Sequence, residues 1–180
     1  QERINKMIHK IETEKADASI AIGYGVVDAT AATTGQISSI AFPDNKEDIY
    51  LSWIGAGLGI GVVGGLTILF NHEQILLDIF EGWHYYRQYL EKNPLLKGNQ
   101  INTWNGRWIS QRYDREYDSD DPLMNFNPLV PMSDGLFNLQ TVPWAEVIAG
   151  IARNNRTSNM VGYLYSIGQT NTTVGFIPFK

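Results

Sequence analysis

The sequence predicts an α+β chain: a helical first half, an irregular middle, and a C-terminal helix followed by a β-hairpin. Three observations carry this expectation. Apolar residues recur at helical spacing near the N-terminus and again over residues 72–92. Between these stretches lies a run of 22 uncharged residues, Ile49 to Phe70, six of them glycine. Near the C-terminus, two β-branched and aromatic runs, Met160–Gly168 and Thr173–Phe179, flank the turn-like stretch Gln169–Thr172.

The first element spans residues 2–16, where Ile4, Met7, Ile8 and Ile11 line one side of an amphipathic helix. Residues 18–42 are small, apolar and β-branched, and Ile20–Val27 and Ile37–Phe42 read as strands. Pro43 to Asp48 reads as a turn. This gives three regions: residues 1–48, the Gly-rich segment 49–70, and an aromatic-rich docking region over 71–180.

The Gly-rich segment admits three structures. As one helix it exceeds the roughly 20 residues that span a bilayer core. Gly57, Gly61 and Gly65 then fall four apart, a pattern that lets helix backbones approach closely. Tyr50 and Trp53 would sit at its interfacial end. As buried β-structure, Gly55, Gly57, Gly59 and Gly61 fall on one strand face, and Gly64–Gly65 turns the chain into Leu66–Phe70. As a dinucleotide loop, Gly59 to Gly64 matches G-x-G-x-x-G, but a strand follows where a helix is required. The membrane helix is the expectation, with the buried hairpin its nearest rival. Either way, so many glycines need burial, because each costs about 1 kcal/mol relative to alanine in a solvated helix.

Residues 72–92 form the clearest element. Asn71 is a good N-cap, and Gln74 stands where a capping box needs it. Ile75, Leu76, Ile79, Phe80, Trp83, Tyr86 and Leu90 trace an apolar face, and Asn93-Pro94 ends the helix. Residues 94–142 read as mostly connective, with only Asn102–Arg112 suited to regular structure. Pro143 opens a helix to about Arg153, lined by Trp144, Val147, Ile148 and Ile151.

Composition excludes several classes. The 180 residues include no cysteine, which removes disulfide scaffolds, thiol nucleophiles and Cys-based zinc sites. The net charge of -5 argues against a general polyanion binder. That charge is unevenly placed: residues 16–82 carry a net of -7 and residues 83–115 a net of +4. Residues 116–146 hold six acids and no base. Such blocks pair within a fold or meet complementary blocks on a partner. The chain starts at Gln1 rather than Met, as a processed or excised piece does, and its apolar end at Phe179 is of the kind that docks.

No catalytic or metal-ligating set emerges. Asp114, Glu116, Asp118, Asp120 and Asp121 alternate like the start of a calcium loop, yet Ser119 and Asn125 break the pattern where glycine and glutamate belong. His72 and His84 lie about 18 Å apart along one helix and cannot share a metal there. Ser166 lacks the first glycine of a nucleophile elbow. The sequons at Asn155 and Asn171 are short enough to arise by chance.

What remains is a cluster of aromatic and basic side chains over residues 83–117. Trp, Tyr and Arg suit a protein interface or a packed core first, then lipid headgroups, then stacked bases. The candidate interface residues are Trp83, Tyr86, Trp104, Arg107, Trp108 and Arg112, with Gly57, Gly61 and Gly65 as the close-packing stripe. The function this implies is a non-catalytic structural or anchoring subunit of a larger, membrane-associated assembly. Its partners would be other protein subunits and a lipid bilayer. A soluble α+β subunit binding nucleic acid in a nucleoprotein complex is the alternative. A nucleotide-binding enzyme using the Gly-rich loop comes third. The sequence points to no cofactor and no compartment.

Overall fold

The computed structural model describes residues 1–14, 20–21, 45–96, 98–155, 158–166 and 172–179. The chain is α+β and divides into two compact units, Gln1–Gly57 and Leu58–Lys180.

The first unit contains α1 (Glu2–Thr13) and α2 (Lys46–Gly57). Ile11, Ile20, Ala21 and Ile49 form its core, with Met7 and Tyr50 against them. Ile4 and Ile8 of the expected α1 stripe stay exposed. Lys46 Nζ donates to Glu12 Oε2 at 2.6 Å, and this bond holds the Glu12 carboxyl below its ordinary range. Trp53 Nε1 donates to the Ile20 carbonyl at 2.8 Å. The expected turn over 43–48 is corrected at its end, because Lys46, Glu47 and Asp48 open α2. Asn45 Oδ1 caps that helix by accepting the Glu47 N–H at 3.1 Å, and the two acids complement the helix dipole. Apart from Ile20 and Ala21, the strands expected over 20–27 and 37–42 lie outside the described residues.

The Gly-rich segment does not form one helix. Its first part is α2, and the rest is a hairpin of β1 (Ile60–Val62) and β2 (Leu66–Phe70) in the second unit. Gly64 and Gly65 take φ of +97° and +73° in the three-residue loop, conformations that favour glycine. Among the described residues, no helix is long and apolar enough to cross a membrane. The dinucleotide-loop alternative fails for the expected reason: a strand, not a helix, follows the glycines.

The hairpin starts a four-stranded antiparallel sheet in the order β1-β2-β5-β6, with β5 (Val161–Ser166) and β6 (Thr172–Pro178) forming the expected C-terminal pair. Three helices accompany it: α3 (Glu73–Lys92), α4 (Ile101–Arg112) and α5 (Trp144–Asn154). The middle is less irregular than expected. α4 stands where Asn102–Arg112 was expected to be regular, and the addition is a small sheet of β3 (Leu129–Pro131) and β4 (Phe137–Leu139).

The α3 start also differs from expectation. His72 is the N-cap and makes no side-chain capping bond. Asn71 instead joins the sheet, exchanging bonds with Val161 through its backbone N–H (3.1 Å) and its Oδ1 (2.6 Å). Gln74 is likewise unavailable for a capping box, because its amide donates to Asp78 Oδ1.

The core joins sheet and helices: Ile60, Ile68 and Phe70 with Ile75 and Ile79 of α3, Trp104, Trp108 and Ile109 of α4, and Val147 and Ile151 of α5. Trp104 and Trp108 are fully buried. Removing an indole of that size from water contributes about 4–6 kcal/mol.

Candidate functional site

A buried group of polar side chains lies between α3 and α4. Its centre is Asp78, which shares the inward stripe of Ile75, Ile79, Gly82 and Tyr86 and is 3% exposed. A carboxylate so buried needs donors, and α4 with its C-cap supplies them. The Tyr113 hydroxyl donates to Asp78 Oδ2 at 2.6 Å, and Arg112 Nη2 lies 3.6 Å from Oδ1. From α3 itself, Gln74 Nε2 donates to Oδ1 at 3.1 Å.

Arg112 is shared. Its Nε stands 3.9 Å from Glu81 Oε2, and its guanidinium lies over the Tyr117 ring at 4.7 Å. Two carboxylates around one guanidinium leave no positive surplus for an anion. Burial pushes the Tyr113 phenol well above its ordinary range, and its hydrogen bond to the Asp78 carboxylate pushes the same way. Burial also raises Tyr117, against the pull of the Arg112 charge. Neither phenol is tuned toward neutral pH, where a general acid or base works.

The indoles bind α3 to α4 through its backbone. Trp108 Nε1 donates to the Asp78 carbonyl at 2.7 Å and Trp104 Nε1 to the Gly82 carbonyl at 2.8 Å. Gly82 is required here, since a Cβ would overlap the Trp108 ring. A second network extends this seam to the sheet. Trp83 Nε1 donates to Asn105 Oδ1 at 3.1 Å, and the Asn105 amide donates to the Gly59 carbonyl at 2.8 Å. Asn102 donates to the same carbonyl at 2.9 Å.

The expected interface residues therefore separate. Trp104, Trp108 and Tyr86 are corrected from interface to core: Tyr86 stacks on Trp104 with centroids 5.1 Å apart, and all three are buried within their own unit. Buried indoles cannot offer a stacking face to bases. Arg112 belongs to the Asp78 group, and Trp83 is half-buried with its N–H used by Asn105. Arg107 is half-buried, and its Nε has no hydrogen-bond partner.

The glycine stripe is corrected as well. Gly57 ends α2, Gly61 lies in β1, and Gly65 lies in the loop, so the three share no helix face. Gly61 does permit close approach, but to α4 of its own unit: a Cβ there would stand 2.8 Å from the Asn102 carbonyl carbon. Across the same contact, a Cβ on Gly106 would overlap the Gly61 carbonyl oxygen.

Sequence reasoning missed Asp78 and Asn105 as the polar centres of this region. For Asp78 a signal existed: a carboxylate in register with Ile75, Ile79 and Gly82 must face inward. Of the histidines, His9 and His84 are exposed and His72 is half-buried. Among the described residues, no group of three His, Asp or Glu side chains could hold a metal ion, and the acidic run over 114–121 forms no such group. No protein-family model, curated protein or solved structure matches this chain.

Proposed function

We propose that this chain is a non-catalytic packing subunit of a protein assembly, working through apolar surface rather than chemistry. One observation carries the reading: α3 leaves two neighbouring apolar side chains in water on its outer face, although its inner face is locked by Asp78, Trp104 and Trp108. Leu77 is 53% exposed and Phe80 60% exposed on that face. Adjacent exposed apolar side chains gain free energy when a partner covers them.

The disposition of the polar groups supports the same reading. Asp78, Tyr113, Arg112 and Asn105 hold α3, α4 and β1 together. Their bonds are directed inward, which suits a rigid scaffold. The need of the Gly-rich hairpin for burial is met at Gly61 by α4, without recourse to lipid.

The test is the native mass of the chain, measured by light scattering without detergent. One sample is the isolated chain, and the other is recovered gently from its source. Species heavier than 20.3 kDa in at least one sample are expected. A single 20.3 kDa chain in both would overturn the reading.

A further inference from the structure

The outer face of α3 carries two apolar side chains between opposite charges. Glu73, Leu77, Phe80, His84, Arg87 and Glu91 are all exposed and follow one another at alternating steps of four and three residues. Such steps place all six on one side of the helix, with Leu77 and Phe80 as its apolar members. Phe80 and the half-buried Trp83 place their rings 5.2 Å apart, so the apolar part continues around the helix.

Charge on this face is arranged about Phe80. Glu73 stands seven residues before it and Arg87 seven residues after it. Each is about 10.5 Å away along the axis, two turns at 1.5 Å per residue. The bond that now holds Arg87, to Glu91 at 2.7 Å, is exposed on both sides. Such an i,i+4 pair is worth only about 0.3–0.5 kcal/mol and is readily exchanged.

We propose that this face docks a second copy of the chain. Two α3 helices would lie antiparallel about a two-fold axis at Phe80. Phe80 then meets its own copy, Leu77 meets the partner's His84, and Glu73 of each chain meets the partner's Arg87 at both ends. A self-complementary face of this kind is what an isologous dimer requires. The opposed charges fix the antiparallel register, since a parallel pairing would set Glu73 against Glu73 and Arg87 against Arg87. The inference rests on the reading of the chain as a packing subunit and names its surface and partner.

The experiment is sedimentation equilibrium of the full chain over a concentration series, on the unaltered protein and four variants. Phe80→Asp is expected to leave a monomer at concentrations where the unaltered chain dimerises. Glu73→Arg and Arg87→Glu should each weaken the dimer by on the order of tenfold. Combined in one chain, they should restore it, which damage to the fold would not do. The dimer proposal is overturned if the unaltered chain is monomeric throughout, if Phe80→Asp still dimerises, or if the double exchange fails to recover affinity. A monomer in isolation that is found within a heavier species from its source would overturn the dimer alone and leave the packing-subunit reading standing.

Discussion

The four-stranded sheet has two edges, β1 and β6, and they are protected by different means. At β1, α4 lies along the strand. Asn102 and Asn105 give their amide protons to the Gly59 carbonyl, and Gly61 meets the α4 backbone at Asn102 and Gly106. Val142 completes the cover by accepting the Val63 N–H at 2.9 Å. At β6, the described residues pair on one side only. The Phe179 N–H donates to the Met160 carbonyl at 3.0 Å, so Ile177 also turns its N–H toward β5 and Pro178 falls in the outward phase. Proline has no N–H to present there. A register shift between Leu164 and Tyr165 interrupts the ladder further along β6. The comparison teaches that an uncharged edge is made safe either by covering it or by spoiling its repeat. Covering demands glycine where backbone meets helix, whereas spoiling demands only a bulge and a proline.

The covered edge at β1 is the more sensitive to substitution. Gly61→Leu would drive a branched side chain into the backbone of Asn102, which cannot rotate away. A loss of about 3 kcal/mol or more is expected, measured as a shift in the urea midpoint. An unchanged midpoint would show that α4 does not seal the edge. Asn105→Ala comes next. It removes one of the two amides on Gly59 and leaves the Trp83 indole N–H without its acceptor, at a cost of about 2 kcal/mol. Should the variant match the parent in denaturant, the amide contact would be incidental.

A pH series sharpens the role of Tyr165, whose hydroxyl stands against Gly59. Burial, with Tyr163 beside it, pushes this phenol up to about 12. The unfolded chain releases that proton near pH 10. The contribution of Tyr165 to stability is therefore whole below about pH 10 and falls as the pH climbs toward 12. Tyr113, also raised, adds to the decline in the same direction. Tyr165→Phe should make the alkaline decline shallower, and an unaltered slope would remove Tyr165 from the account. The smallest effect is expected at β6. Pro178→Val should change stability by less than about 0.5 kcal/mol while increasing light scattering on storage, because it restores an outward N–H. Equal scattering from both proteins would mean that the bulge alone protects this edge.

The elements differ in how far they could be read from residues. The α3 helix was legible because Ile75, Ile79, Gly82 and Tyr86 repeat at its period and Pro94 follows its end. The C-terminal hairpin was legible from its β-branched and aromatic runs. The α4 helix was nearly invisible as an amphipathic stripe, because Trp104, Asn105, Gly106, Trp108 and Ile109 are buried on several of its sides. The strands β3 and β4 are three residues each, too short for a repeat to show. The register of Asp78 with Ile75, Ile79 and Gly82 could have shown that it faces inward, but its partners Tyr113 and Arg112 lie more than 30 residues away and leave no local signal.

Residue patterns were enough for the α+β class, the long α3, the helix near Pro143 and the strand pair at the C-terminal end; the expected burial of the glycine run holds at Gly59 and Gly61, whereas Gly64 and Gly65 are exposed. Those elements follow from periodicity and backbone propensity, which act over neighbouring residues. Which glycines are covered, and which aromatics reach the surface, came from tertiary contacts alone. Gly57, Gly61 and Gly65 fit a helix stripe, and Gly55, Gly57, Gly59 and Gly61 fit a strand face, equally well by spacing. The choice fell to a contact with α4, some 40 residues further along the chain, between the backbones of Gly61 and Gly106. Local spacing carries no information about a partner so distant, and close packing is settled only when both surfaces are present.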